Sequence, residues 1–200
     1  MKNGTTVMGK GAFVHMNPTG GAMIDYKKIA SLVGHCKELG MKIVLTQGSF
    51  DMIHVGHGRY LKEAKKHGDL LVVGVDSDKK VRARKGPERP VVPQEERVEM
   101  LTHLRYVDLV FLKEMNAPKW SLIKAVCPDV LIATKETYDK NQLKDLKKYC
   151  GKVHVLKPMA TTSTSAKIRR LQMGTAKKLG QALTPKLMKT IEEVLGELKG

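Results

Sequence analysis

Aromatic side chains are scarce: Phe, Trp and Tyr make up 4% of the 200 residues, so Leu, Ile, Val and Met must build any core. Cysteine is scarcer still. Cys36, Cys127 and Cys150 are odd in number, far apart and lack a CxxC pair. That excludes a disulfide framework or a zinc ribbon and reads as idle thiols in a reducing cytosol. No apolar run approaches the roughly 20 residues of a membrane span, and the first 21 residues lack the continuous apolar stretch of a secretory signal. A cytoplasmic chain without membrane association is expected. Acidic residues are also in short supply, with 20 Asp and Glu against 36 Lys and Arg, a net charge of +16. This balance points to polyanionic partners (nucleotides, phosphorylated metabolites, nucleic acid or an anionic membrane surface) without choosing among them. Apolar residues at 42% and charged residues at 28% are globular values, which rules out wholesale disorder.

The chain has no internal repeat. Residues 1–22 carry five glycines and little periodicity, and read as a flexible leader. From Tyr26 the apolar spacing Ile29, Leu32, Val33, Cys36, Leu39 follows a helical period, with Gly40 where a C-cap belongs. Apolar strands are then expected at 42–47, 69–76, 106–112, 129–133 and 152–156. Helices are expected at 58–67, 93–104, 118–126 and 139–149. Continuous apolar strands separated by helices predict a Rossmann-like α/β fold, a parallel sheet with helices on both faces. Ligands then bind beyond the carboxyl ends of the strands, in the loops after Gln47, Asp76, Ala133 and Leu156. The domain so predicted spans 23–173. Residues 174–200 form a helical extension in which Leu187, Ile191, Val194, Leu195 and Leu198 share one face, suited to packing on the domain or on a second subunit.

Chemistry concentrates in the first loop, Gln47-Gly48-Ser49-Phe50-Asp51-Met52-Ile53-His54-Val55-Gly56-His57. A strand runs into a glycine turn and then a helix, whose unpaired N–H groups and dipole favour phosphate. His54 and His57 flank that point, where either imidazole could donate hydrogen bonds to phosphate oxygens during transfer. Gly56 between them lets backbone come close to a ligand. Alone, either histidine reads as structural. The combination GSFD-x-x-H-x-G-H at a strand–helix junction is far more specific than its parts.

GSFDMIHVGH resembles the GxFDxxHxGH signature of the cytidylyltransferase-like nucleotidyltransferases. Residues 42–110 look especially like the adenylyltransferase domain of ADP-heptose synthase, and are similar to glycerol-3-phosphate cytidylyltransferase and archaeal FAD synthetase. Further matching pieces are 59–78, 85–101 and STSAKIRR at 163–170. The resemblance implies in-line attack of a phosphorylated acceptor on the α-phosphorus of ATP or CTP, with magnesium accompanying the triphosphate and no metal site on the protein. It assigns His54, His57 and Lys85 to transition-state stabilisation. Nucleotide and phosphate contacts fall to Gly48, Ser49, Phe50, Asp51, Gly56, Ser163, Thr164, Ser165 and Arg169. Acceptor contacts fall to Asp76, Arg89, Arg97 and Tyr138. Lys79 to Arg89 holds six cations and one Glu, and is read as a basic loop binding triphosphate and acceptor phosphate. The segment 133–138 departs from the family's GGDY or GDDW loop: its glycines are missing and only Tyr138 and Glu136 are counterparts. ATP against CTP, and a sugar 1-phosphate against glycerol 3-phosphate or flavin mononucleotide, stay open. A homodimer is expected. The alternative reading is a basic protein that uses the fold to bind nucleic acid or nucleotide without catalysis; the lack of stacking aromatics weighs against nucleic acid.

Overall fold

The computed structural model describes residues 6–9, 12–15, 26–134, 137–157, 159 and 164–197. Two units make up the chain, Met1–Thr161 and Thr162–Gly200. In the first unit the elements run β1 (Thr6–Gly9), β2 (Ala12–His15), α1 (Tyr26–Glu38), β3 (Ile43–Gly48), α2 (Val55–Lys65), β4 (Leu70–Asp76), α3 (Asp78–Lys85), α4 (Gln94–Thr102), β5 (Leu109–Lys113), α5 (Ser121–Val126), β6 (Val130–Thr134), α6 (Lys140–Leu146) and β7 (Lys152–Leu156). The second unit is α7 (Thr164–Glu197).

The sheet order is β1-β2-β5-β4-β3-β6-β7. From β3 the chain steps outward through β4 to β5, then returns to the other side of β3 for β6 and β7, with every pair parallel. This doubly wound order reverses direction between β3 and β6, and there the carboxyl edge opens a crevice. Two strands lie in the segment read from sequence as a leader: β1 and β2 form an antiparallel hairpin, and β2 continues the sheet parallel to β5.

Alternate side chains of each strand point to opposite faces, so each apolar run supplies two cores. Val44, Leu71, Val73, Val75, Val110 and Ile132 pack with Leu61 and Ala64 of α2 and Val98 and Leu101 of α4. Ile43, Leu45, Val72, Leu109, Phe111 and Leu131 pack with Ile29 and Val33 of α1 and Leu122, Ile123 and Val126 of α5. Helix α1 stops at Gly40, which has φ 80°. Its N–H donates to Lys37 O and that of Met41 to Cys36 O, the paired bonds of a Schellman cap.

Two expectations are corrected. The basic segment after β4 is not a loop, because residues 78–85 form α3. Ser77 caps its start, its hydroxyl accepting from Lys80 N–H at 3.4 Å, and Val81 anchors it in the core. Helix α2 begins at Val55 rather than Gly58, for a reason that belongs to the site.

Candidate active site

Helix α2 is capped by imidazoles. Nδ1 of His54, the N-cap residue, accepts from Gly56 N–H at 3.1 Å. Nδ1 of His57 reaches back to accept from His54 N–H at 3.3 Å. This is the reciprocal geometry of a capping box, built from two histidines in place of Ser/Thr and Glu. The rings lie 4.3 Å apart between centroids, and Phe50 stands 5.7 Å from His57. An imidazole that accepts at Nδ1 carries its proton at Nε2. Both rings are therefore held in the tautomer that offers an Nε2–H donor at the positive end of α2. The N–H groups expected to cradle a phosphate are partly used by this cap: those of Gly56 and His57 already donate, the latter to His54 O at 2.9 Å.

The loop leading into α2 is conformationally tight. Phe50 and Met52 have φ of 48° and 49°, a left-handed conformation that costs non-glycine residues on the order of 1–3 kcal/mol each. Their surroundings enforce it. Gly48 sits under the Phe50 ring, where an added Cβ would lie 3.2 Å from Cε2. Asp51 is buried and ties the loop to residues 89–92. Its Oδ2 accepts from Arg89 Nε and Nη2, each at 2.8 Å, and its two oxygens accept the N–H groups of Val91 and Val92 at 3.0–3.1 Å. Burial pushes the Asp51 carboxyl up, but the Val92 and Val91 N–H groups and Arg89 outweigh it and hold it below the usual carboxylate range.

Arg97 is fully buried at the next junction. Its Nε donates to Val92 O at 3.0 Å and its Nη1 to Ser49 O. Its Nη2 donates to Asp76 O at 2.9 Å and pairs with Asp78 Oδ1 at 2.8 Å. The sequence reading made Arg89 and Arg97 ligands of acceptor phosphate. In the structure both guanidinium groups are engaged by protein, and they bind the loops after β3 and β4 to the turn before α4. Lys85 ends α3 and donates from Nζ to Ser49 Oγ at 2.9 Å. Burial, with Arg84 and Arg89 nearby, pulls its pKa below the usual lysine value despite Asp51 and Asp76.

A cavity of about 200 Å³ opens at the carboxyl ends of β3, β4 and β5, on the face covered by α1 and α5. The strand rows explain its lining. Val72 and Leu45 point into that core, and one step further along the same faces stand Gln47 and, past Gly74, Asp76. Asp76 is 2% exposed and bridges two cations, Lys113 Nζ on Oδ1 at 3.1 Å and Arg84 Nη2 on Oδ2 at 3.0 Å. Burial raises its pKa; Lys113 and Arg84 more than offset this and hold it low. Tyr26, Lys80, Trp120 and Tyr138 complete much of the wall. Tyr138 OH accepts from Gln47 Nε2 at 3.4 Å, and burial pushes its pKa up.

The structure thus brings Gly48, Ser49, Phe50, Asp51, His54, Gly56, His57, Lys85 and Arg89 into one connected loop cluster. Asp76 and Tyr138 stand in the adjoining cavity. Ser163 and Glu136 lie outside the described residues. Thr164 and Ser165 open α7, with only their backbone described, and Arg169 is on α7 in the second unit. Sequence reasoning missed Lys113. The rule that ligands gather beyond strand ends, applied to β5 as it was to four other strands, would have found it.

Asp51 and Asp76 both have folded-state pKa values below their unfolded ones. A depressed acid stabilises the fold fully above the ordinary carboxylate value and loses that contribution as pH falls through the folded value. Unfolding free energy should therefore hold level down to about pH 5 and decline below about pH 4. Denaturant titrations at pH 7 and pH 3 measure this, and Asp76→Asn should blunt the decline; equal stability at both pH values would contradict the assignment.

A doubly wound sheet with the HxGH turn at its reversal point defines a Rossmann-like α/β fold. Residues 45–173 match the cytidylyltransferase-like family, and the chain belongs to it. The bifunctional protein HldE of a Nitratiruptor species is 42% identical over 115 residues, 58% of this chain and 25% of that protein. The HldE of Geotalea uraniireducens is 34% identical over 183 residues, 88% of this chain and 37% of that protein. The chain therefore spans well under half the length of these relatives. Among solved structures, the lipopolysaccharide core biosynthesis protein from Thermoplasma volcanium superposes with TM-score 0.51 at 32% identity, over 59% of this chain and 98% of that one. Pantoate-beta-alanine ligase from Francisella tularensis, at 18% identity and TM-score 0.50 over 68% of this chain and 67% of that one, shares the fold.

Proposed function

We propose that the chain is a nucleotidyltransferase that moves a nucleoside monophosphate from ATP or CTP to a phosphorylated small molecule, releasing pyrophosphate. The observation that carries this reading is the double imidazole cap, which fixes two Nε2–H donors at the positive end of α2. Charge that builds on the α-phosphate oxygens during in-line displacement is stabilised by such preorganised donors. Lys85, tethered to Ser49, adds a cation beside the same loop. Ser163, Thr164, Ser165 and Arg169 act on the leaving phosphates, as the family signature implies. The acceptor enters the neighbouring cavity, where Asp76 and Tyr138 orient it. Its phosphate is already ionised, so no side chain has to serve as general base. Among the described residues no three His, Cys, Asp or Glu side chains gather to hold a metal, and Asp51 is committed to Arg89. Magnesium comes as part of the triphosphate and neutralises its oxygens.

The relatives named HldE, and the likeness of residues 42–110 to ADP-heptose synthase, support a sugar 1-phosphate as acceptor and ATP as donor. Pyrophosphate release, screened over four nucleoside triphosphates and a panel of phosphorylated acceptors, should require one nucleotide and one acceptor together. Nucleotide binding with no release from any acceptor would refute catalysis. Steeply salt-dependent RNA or DNA binding, undiminished by His57→Ala, would favour the nucleic-acid reading instead.

Helix α7 supports the homodimer. Leu179, Leu183, Leu187, Ile191 and Leu195 recur every fourth residue and are exposed, a stripe that a second copy of α7 would cover. Arg169, Arg170, Lys177 and Lys178 precede it, and Glu192, Glu193 and Glu197 stand at its far end, so an antiparallel pair sets opposite charges together. Light scattering should give twice the monomer mass, and Leu183→Glu with Leu187→Glu should halve it. A wild-type monomer at every concentration would exclude the pairing.

A further inference from the structure

The cavity beside the imidazole-capped helix is more cationic than a single phosphate requires. Among the described residues, Lys80, Arg84, Lys113 and Lys119 line it against one carboxylate, Asp76. Asp76 is shared between two of them, Lys113 on one oxygen and Arg84 on the other. These described residues carry a net +3, and an attacking phosphate monoester brings at most two negative charges.

Lys113 is a built feature rather than a surface residue. Its side chain is 16% exposed, and its stem passes Gly74 of β4. A Cβ added at Gly74 would lie 2.9 Å from Lys113 Cδ and 2.6 Å from Leu122 Cδ2, so the strand leaves a notch for that stem. Burial pulls the lysine's pKa down while Asp76 raises it, so half of one carboxylate leaves the ammonium short of compensation. A buried cation left undercompensated is expensive unless a ligand supplies the counter-charge. Lys119, its ammonium 4.4 Å from the Trp120 ring centroid, adds positive charge at the cavity wall.

We propose that the acceptor carries a second anionic group besides its attacking phosphate, a carboxylate or a further phosphate, and that Lys113 selects it. The acceptor class is then an acidic sugar phosphate or a sugar bisphosphate. This rests on the nucleotidyltransferase reading. Lys113 is a specificity residue that does not touch the reacting phosphorus, so its effect falls on KM with kcat nearly unchanged.

Matched acceptors test it: glucose 1-phosphate, glucuronic acid 1-phosphate and glucose 1,6-bisphosphate, with glycerol 3-phosphate against 3-phosphoglycerate. Calorimetry without nucleotide reads binding, and pyrophosphate release with nucleotide reads transfer. The acceptors that carry a second anionic group should be favoured at least 10-fold over their neutral-headed partners in wild type. The better of the carboxylate and bisphosphate arms identifies the second group. Lys113→Met should collapse the preference through KM. Lys144→Met, which removes an exposed cation of α6 and the same unit of net charge, should leave it intact. The wild-type ratio is decisive even where Lys113→Met fails to fold. Equal use and equal binding of neutral and acidic partners would overturn the proposal. Preferential binding of acidic acceptors without any transfer would uphold the Lys113 selection and sink the nucleotidyltransferase reading.

Discussion

Replacing Arg97 by methionine should lower the unfolding free energy by about 3–5 kcal/mol, the range for breaking a buried ion pair from one side. The methionine fills much of the stem's volume. What disappears is a planar fork that satisfies the carbonyls of Val92, Ser49 and Asp76 and the carboxylate of Asp78. Those acceptors sit on three different loops, so the loss is shared by the turn before α4, the signature loop and the end of β4. In a domain of this size the melting temperature should fall by roughly 10 °C. Arg97→Lys should recover little, because an ammonium cannot serve four acceptors spread across a plane. Urea unfolding followed by circular dichroism measures the effect. The outcome also decides between two roles. A phosphate ligand would keep its stability on mutation and lose only acceptor KM, so a change below about 1 kcal/mol would restore the acceptor contact that the family resemblance implies for Arg97.

The second large effect is catalytic. His57→Ala should cut turnover about 100-fold, as loss of one donor to a developing oxyanion does. It also opens the cap, because His54 N–H loses its acceptor; this should cost about 1 kcal/mol of stability. Turnover and melting temperature measured on the same sample separate the two contributions. A folded variant with unchanged turnover would remove His57 from the mechanism.

What was legible in the sequence follows from what periodicity can encode. Strands buried on both faces give continuous apolar runs, and β3, β4, β6 and β7 stand within a residue or two of where those runs place them. The Gly40 cap was legible because a left-handed terminus favours glycine. Helix α2 started three residues early because its N-cap is an imidazole, a residue outside the Ser, Thr, Asp and Asn set that signals a helix start. Helix α3 was hidden by its charge: Val81 is its single buried residue, so no apolar stripe marks it. The signature loop was recognisable, but the partners of its charged neighbours were not. Residue type says that Arg89 and Arg97 can grip an anion; only tertiary contact shows that the anions are Asp51 and Asp78. Strand-end position marks Lys113 as a candidate, but only tertiary contact shows that it is held by Asp76.

The notch at Gly74 has a consequence for how this cavity could change its ligand. Gly74 lies inside a strand, paired with Gln47 on one side and Phe111 on the other, in the middle of an apolar row. Any larger residue there would displace both Leu122 of α5 and the lysine stem, and so would move the ammonium without altering one residue of the cavity wall. Retuning could therefore proceed through the sheet's interior, at a position that a survey of the lining would pass over.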